Sequence, residues 1–195
     1  MIASTSGDMC QMKVLGVVGS PRKNGNTEIL VDEVLRGAKD AGSAIEKIFL
    51  NELKIKPCQA TCSQYCKTHG KCNIADDMSP LYDKLYDSDA IVLGTPVYWW
   101  GPSAQLKVFI DRWYAFCHPA FAKKFEGKKL VLVSPFEDSD ITTPEHLVGM
   151  LKRSAEYMKM DFSDKLLVTA KEKGAVARDT KMMKEAYDIG ARLKN

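Results

Sequence analysis

The chain of 195 residues contains no apolar run near the ~20 residues that a membrane-spanning helix requires. Its opening MIASTSGDMCQM has no Lys or Arg and no continuous apolar core, which is not the pattern of a secretory signal. Charge of one sign is also scarce: 28 Lys and Arg against 25 Asp and Glu leave +3, too small and too dispersed to point to nucleic acid or an anionic membrane. Repeats, low-complexity tracts and long linkers are missing as well. These absences predict a cytoplasmic protein with neither nucleic acid nor membrane as partner. What is present, 45% hydrophobic and 27% charged residues, is the composition of an average globular domain with enough chain for one buried core. A polar flexible tail is expected over 1–12 and a single domain over 13–195.

Short apolar runs alternate with helical patterns along that domain. Lys13–Gly19 reads as a buried strand ending in turn residues. From Asn26 to Ala41 the residues Ile29, Leu30, Val34, Leu35 and Ala38 recur at helical spacing, and Gly42 stops the helix. The pattern repeats as strand 44–50, helix 79–86, strand 89–95, helix 103–116, strand 129–134, helix 143–158, strand 162–170 and helix 179–193. Strand–helix alternation implies parallel pairing with helices on both faces, an α/β doubly wound five-stranded parallel sheet. Its commonest order is 2-1-3-4-5, the flavodoxin-like arrangement, which places ligands at the carboxyl ends of the strands beside the first and third. Chemistry is therefore expected in the loops after Gly19, Gly94 and Val133.

The first of these loops, Gly19-Ser-Pro-Arg-Lys-Asn-Gly-Asn-Thr27, opens directly into a helix. A helix N-terminus offers unpaired N–H groups and a partial positive charge to a phosphate. Ser20 and Thr27 add hydroxyls, Asn26 an amide donor and Arg22 a forked cation, with Lys23 and Asn24 in the same run. Neither G-x-x-x-x-G-K-[ST] nor G-x-G-x-x-G is present, which disfavours nucleoside triphosphate and standard dinucleotide cradles. The plainer alternative is a polar strand-to-helix turn capped by Asn26 or Thr27.

The run GSPRKNGNT, the segment GTPVYWWGPSAQLKVFIDR at 94–112 and the closing KEKGAVARDTKMMKEAYDIGARL together resemble the NAD(P)H-dependent FMN reductase family, in particular its iron–sulfur flavoprotein branch. That resemblance implies FMN as cofactor, a reduced nicotinamide dinucleotide as electron donor, an electron acceptor it does not identify, and a homodimer or homotetramer. It assigns the flat wall of the flavin site to Pro96, Val97, Tyr98 and Trp99, with Trp100 nearby and Ser103 at the place of a family serine. The alternative for the two tryptophans is a core or interface role. In the following helix Lys107, Asp111 and Arg112 are expected on the polar face. At the third loop, Ser134 and Pro135 start a segment where the family often has glycines. Pro135 and Phe136 are placed to pack by the ring, and Glu137, Asp138 and Asp140 make the mouth acidic unless they merely cap the next helix.

Four of the six cysteines, Cys58, Cys62, Cys66 and Cys72, fall in the long irregular stretch 51–78. By resemblance they are the ligands of a [4Fe–4S] cluster, which takes four thiolates. Their spacing is C-x3-C-x3-C-x5-C rather than the branch's C-x2-C-x2-C, and on one continuous helix the outer two of the first three would be separated by ~12 Å of rise. Zinc, a disulfide pair and unligated thiols stay open at this point, as does a zinc role for His69. Cys10, in the tail, and Cys117, after a helix, read as structural or incidental. The reading is an FMN-dependent oxidoreductase that draws electrons from NAD(P)H. Its rivals are an electron carrier without nicotinamide activity and a cysteine-based redox or metal sensor.

Overall fold

Runs of β-branched and aliphatic residues bounded by turn residues become the inner strands because both of their faces can be buried. In the computed structural model, which describes residues 11–61 and 63–194 (Ser63 by its backbone alone), these are β1 (Lys13–Val18), β3 (Ala90–Gly94) and β4 (Lys129–Phe136). The flanking β2 (Ala44–Phe49) and β5 (Asp161–Thr169) alternate or expose residues, as edges do. All pairings are parallel and the order is β2-β1-β3-β4-β5, the arrangement the sequence predicts. Of residues 1–12, expected to form a tail, 1–10 lie outside the described residues. Gln11 donates its amide to the Gly42 carbonyl, and the Met12 carbonyl accepts from the Ala44 N–H.

Period-two alternation divides each inner strand between two cores. On one side Val14, Val18, Val92, Val131 and Val133 pack against α1 (Asn26–Asp40) and α7 (Thr180–Arg192). On the other, Leu15, Val17, Ile91, Leu93, Leu130 and Leu132 meet α3 (Leu81–Asp87), α4 (Ala104–Asp111) and α6 (Glu145–Met158). Helices α1 and α7 touch through Gly37 and Gly190. A Cβ at Gly190 would fall on the Val34 carbonyl oxygen, and one at Gly37 on the Tyr187 carbonyl oxygen.

Three differences from the sequence reading bear on the site. The helix expected over 103–116 is α-helical only to Asp111 and tightens to 3₁₀ over Arg112–Phe116. Within the stretch read as irregular, 63–69 forms a helix, α2 (Ser63–His69), and a further short helix, α5 (Pro119–Ala122), follows the 3₁₀ turn. Strand β4 runs two residues past Ser134, so Pro135 and Phe136 sit in the sheet, paired with Val168 and Thr169 of β5. Among the described residues no helix is long and apolar enough to cross a membrane.

Candidate functional site

Because the strands are parallel, the loops leaving β1, β3, β4 and β5 all emerge at one end of the sheet. Three buried hydroxyls fasten the first three. Ser103 caps α4 by accepting from the Leu106 N–H at 3.2 Å while donating to the Gly19 carbonyl at 2.5 Å. Ser134 donates to the Thr95 carbonyl at 2.8 Å, and Thr95 Oγ1 accepts from the Ser103 N–H at 3.0 Å. The Gly19 N–H meets the Gly94 carbonyl at 2.7 Å, an approach that needs glycine, since a Cβ there would lie 2.8 Å from Leu106 Cβ. Ser103 and Ser134, read from sequence as cofactor contacts, therefore do not line the cleft; their hydroxyls fix the loops that do.

The cleft has a volume of about 200 Å³ and is walled by Ser20, Arg22 and Thr27 from the segment after β1, by Pro96, Val97 and Tyr98 from the loop after β3, and by Pro135 and Phe136 from the end of β4. Among the described residues no side chain caps α1, whose N-cap is Gly25, and Gly25, Asn26 and Thr27 line the cleft, so an uncapped helix end borders it. The loop is shaped from within: Ser20 Oγ accepts from the Arg22 N–H at 3.2 Å, and Glu28 accepts from the Asn24 N–H at 2.6 Å. Burial raises the Glu28 carboxyl pKa, but the Asn24 N–H and the Lys47 ammonium outweigh it and hold that carboxyl below its usual range. Asn24 stands at φ +53°, and its side chain is not in the cleft wall. Lys23 also turns away, pairing with Glu52 and lying over the Phe49 ring.

Asn26 lines the cleft, but its amide is already engaged. Nδ2 donates to the Glu172 carbonyl at 2.8 Å and, more weakly, to that of Ala170, and Oδ1 accepts from the Val176 N–H. These bonds draw in the loop after β5, and Lys171 and Lys173 of that loop join the cleft wall. The sequence reading looked only to three loops and missed this fourth. The signal that would have found it is the topology itself, since a fifth parallel strand delivers its following loop to the same end.

Beyond Tyr98 the chain reverses in a two-residue turn closed by mutual Tyr98 and Gly101 hydrogen bonds of 2.9 and 3.0 Å. Its corner residues, Trp99 and Trp100, stand at φ +49° and +59°. Bulky side chains in this left-handed region cost ~1–3 kcal/mol each. Trp99 is 91% exposed and Trp100 53%. Both line a second cavity of about 480 Å³, which shares Val97, Phe136, Glu137 and Lys171 with the first and is bordered by Asp138 and Thr143. Trp99 thus belongs to the mouth rather than to the inner cleft. Asp140, farther out, accepts from the N–H and hydroxyl of Thr142 in a local turn, and it does not cap α6, whose N-cap Pro144 receives no side-chain hydrogen bond.

The cysteine segment is anchored by a buried ion pair. Arg112, expected on a polar helix face, is instead buried: Nη1 donates to Asp76 at 2.6 Å and to the Lys56 carbonyl at 2.8 Å. Asp76 also accepts from the Lys56 and Met78 N–H groups. Arg112 therefore ties together both ends of the loop that carries the cysteines. Cys66 is buried, Cys58 and Cys72 are half-buried, and the thiols of Cys66 and Cys72 lie near enough to the Tyr82 hydroxyl to act on it electrostatically. Burial first, and these thiols in addition, push the Tyr82 pKa up. His69 stacks on Tyr65 with ring centroids 3.9 Å apart and bonds its carbonyl through Nδ1. Cys62 lies outside the described residues, and among those described no three His, Cys, Asp or Glu side chains gather closely enough to hold a metal ion.

The family model for NADPH-dependent FMN reductase matches residues 12–160. An iron–sulfur flavoprotein of Methanocaldococcus jannaschii is 46% identical over 101 residues, 52% of this chain and 51% of that protein. A Bacillus subtilis protein that carries the name of an NAD(P)H-dependent FMN-containing oxidoreductase is 25% identical over 179 residues, 90% of this chain and 94% of that one. The solved structure of NAD(P)H:quinone oxidoreductase from Methanothermobacter marburgensis shares the fold, with TM-score 0.68 and 16% identity over 95% of this chain and 98% of that one. The chain spans about half the length of several iron–sulfur flavoproteins it matches.

Proposed function

The chain belongs to the NADPH-dependent FMN reductase family, and on that premise we propose that it is an FMN-dependent oxidoreductase which takes electrons from NAD(P)H and passes them to an acceptor. The observation that carries this reading is the inner cleft, which an uncapped helix end, Arg22 and Thr27 line together with the Pro96–Tyr98 wall and Phe136. That donor set suits a phosphate monoester, and that wall suits a flat heteroaromatic ring. Bound FMN would supply the chemistry, accepting a hydride and releasing electrons to the acceptor.

The protein's own groups bind and orient. Arg22 and the first-turn N–H groups of α1 neutralise the phosphate charge. Thr27, buried in the cleft, donates its hydroxyl where water is scarce. Val97 and Tyr98 hold one side of the ring, and Ser103 and Ser134 keep their loop in register with the first. Lys171 and Lys173, on the loop that Asn26 holds, add positive charge to the cleft wall.

The cysteine segment is proposed as the seat of a [4Fe–4S] cluster with Cys58, Cys62, Cys66 and Cys72 as ligands, the support being the names of the relatives; no step of the reading passes through it. A homodimer or homotetramer is likewise proposed by family resemblance. The test is the visible spectrum of anaerobically purified protein with iron and sulfide assays on the same sample, followed by NADH and NADPH oxidation. Flavin bands with about four irons per chain support both parts. Flavin without iron removes the cluster alone, and protein that neither contains nor takes up FMN refutes the reading.

A further inference from the structure

The second cavity is built at a cost that the inner cleft does not explain. Tight turns with two left-handed corners ordinarily carry Gly, Asn or Asp, because a side chain with a Cβ is strained there. Here both corners are tryptophan, both are held at positive φ, and the indoles stand at the protein surface rather than in a core. Pro96 and Pro102 stiffen the approaches, and the Tyr98–Gly101 hydrogen bonds close the turn, so its shape is fixed before any ligand arrives. The two ring centroids are 6.0 Å apart and the planes are tilted by 58°. The indoles border a space continuous with the inner cleft through Val97 and Phe136. Glu137 and Asp138 line the same space, two carboxylates against the single cation Lys171 among the described residues, with Glu137 and Lys171 shared by both cavities.

We propose that Trp99 and Trp100 form a stacking platform that determines acceptor specificity, admitting a flat aromatic ring that is neutral or cationic and disfavouring an anionic one. The indole faces supply planar contact and attract positive charge. The carboxylates of Glu137 and Asp138 raise the cost of bringing an anion to the same place. The inference rests on the oxidoreductase reading above and assigns the second-substrate half of that site. A para-quinone bound there would gain two electrons and two protons and leave as the hydroquinone, the equivalents coming from reduced flavin that returns to its oxidised form.

The test uses protein as purified and the probe pair 1,4-naphthoquinone and 1,4-naphthoquinone-2-sulfonate, which differ in one negative charge. Binding is read from quenching of tryptophan fluorescence, in which Trp113, buried and outside the second cavity, is the indole least accessible to the probe. Turnover is read against ferricyanide, which has no flat ring to stack. Expected are weaker naphthoquinone binding by about tenfold in Trp99→Gly or Trp100→Gly, with much of it kept in Trp99→Phe. The naphthoquinone-to-ferricyanide ratio of kcat/KM should fall by a similar factor. The sulfonate should bind wild type more weakly than the parent quinone, and Glu137→Gln with Asp138→Asn should narrow that gap. Glycine suits both corners, so these variants fold. Unchanged binding and ratio in the glycine variants overturns the platform, as does preferred binding of the sulfonate. A change of oligomeric state without a change in probe binding also overturns it, and assigns the indoles to a second copy of the chain. Wild type that neither contains nor takes up FMN refutes the parent reading, and that failure is distinguishable from failure of the platform because quenching by the quinone is measured without turnover.

Discussion

Replacing Asp76 by alanine removes the only carboxylate, among the described residues, bonded to a guanidinium whose side chain is 1% exposed. In the folded protein Asp76 accepts from Arg112 Nη1 at 2.6 Å and Nη2 at 3.4 Å, from the Lys56 N–H at 2.9 Å and from the Met78 N–H at 3.1 Å. Removing one member of such a pair strands the other charge away from water and costs ~3–5 kcal/mol. Arg112 Nε is already without a hydrogen-bond partner among the described residues, so the guanidinium has little left to fall back on. For a chain of this size the loss corresponds to a Tm lowered by roughly 6–20 °C. Urea unfolding followed by circular dichroism, with calorimetry, measures it. The paired variant Asp76→Leu with Arg112→Met carries no buried charge and should recover most of the loss, remaining roughly 1–2 kcal/mol below wild type because the two backbone donors lose their acceptor. A loss below about 1 kcal/mol in Asp76→Ala, or a paired variant as unstable as the worse single one, would refute the reasoning.

The same carboxylate gives a pH signature: burial raises its pKa, but the Arg112 hydrogen bond, the Lys56 N–H, the Arg112 charge and the Met78 N–H together hold it below the usual range. Its contribution is therefore complete above the unfolded value near ~3.9 and disappears as pH falls toward the folded one, so denaturant midpoints of wild type should fall between pH 5 and pH 3 more steeply than those of Asp76→Asn. Gly190→Ala forces a methyl onto the Val34 carbonyl and should prevent α7 from seating on α1, costing more than ~3 kcal/mol or abolishing soluble expression. Trp100→Gly should raise the unfolding free energy by roughly 1 kcal/mol, since strain relief exceeds the added chain entropy; an unchanged or lower Tm contradicts strain at this corner. Arg22→Leu should weaken FMN binding by about tenfold or more in an equilibrium titration while leaving riboflavin binding unaltered, because only the phosphate needs the guanidinium.

The alternation of apolar runs with helical periodicity was enough to specify five parallel strands in this order, because buried strands and amphipathic helices have different periods and short crossovers permit few windings. The first and second strand-end loops were placed for the same local reason: Arg22, Thr27 and Pro96–Tyr98, which adjacent positions display together, come to line one cleft. What only the tertiary structure decided depends on distant parts of the chain. Ser103 and Ser134 read as cofactor contacts, yet their hydroxyls meet carbonyls 84 and 39 positions away. Asn26 reads as a phosphate donor, but it meets a loop about 145 residues later and brings in Lys171, which no local pattern connects with Arg22. Arg112 shows the limit most clearly, since helical spacing alone places it beside Asp111 on a solvated face. The turn tightens there, and a carboxylate 36 positions earlier takes the guanidinium into the interior. Local sequence determines period and polarity; which polar groups are satisfied inside is settled only when segments remote in sequence compete for the same hydrogen bonds.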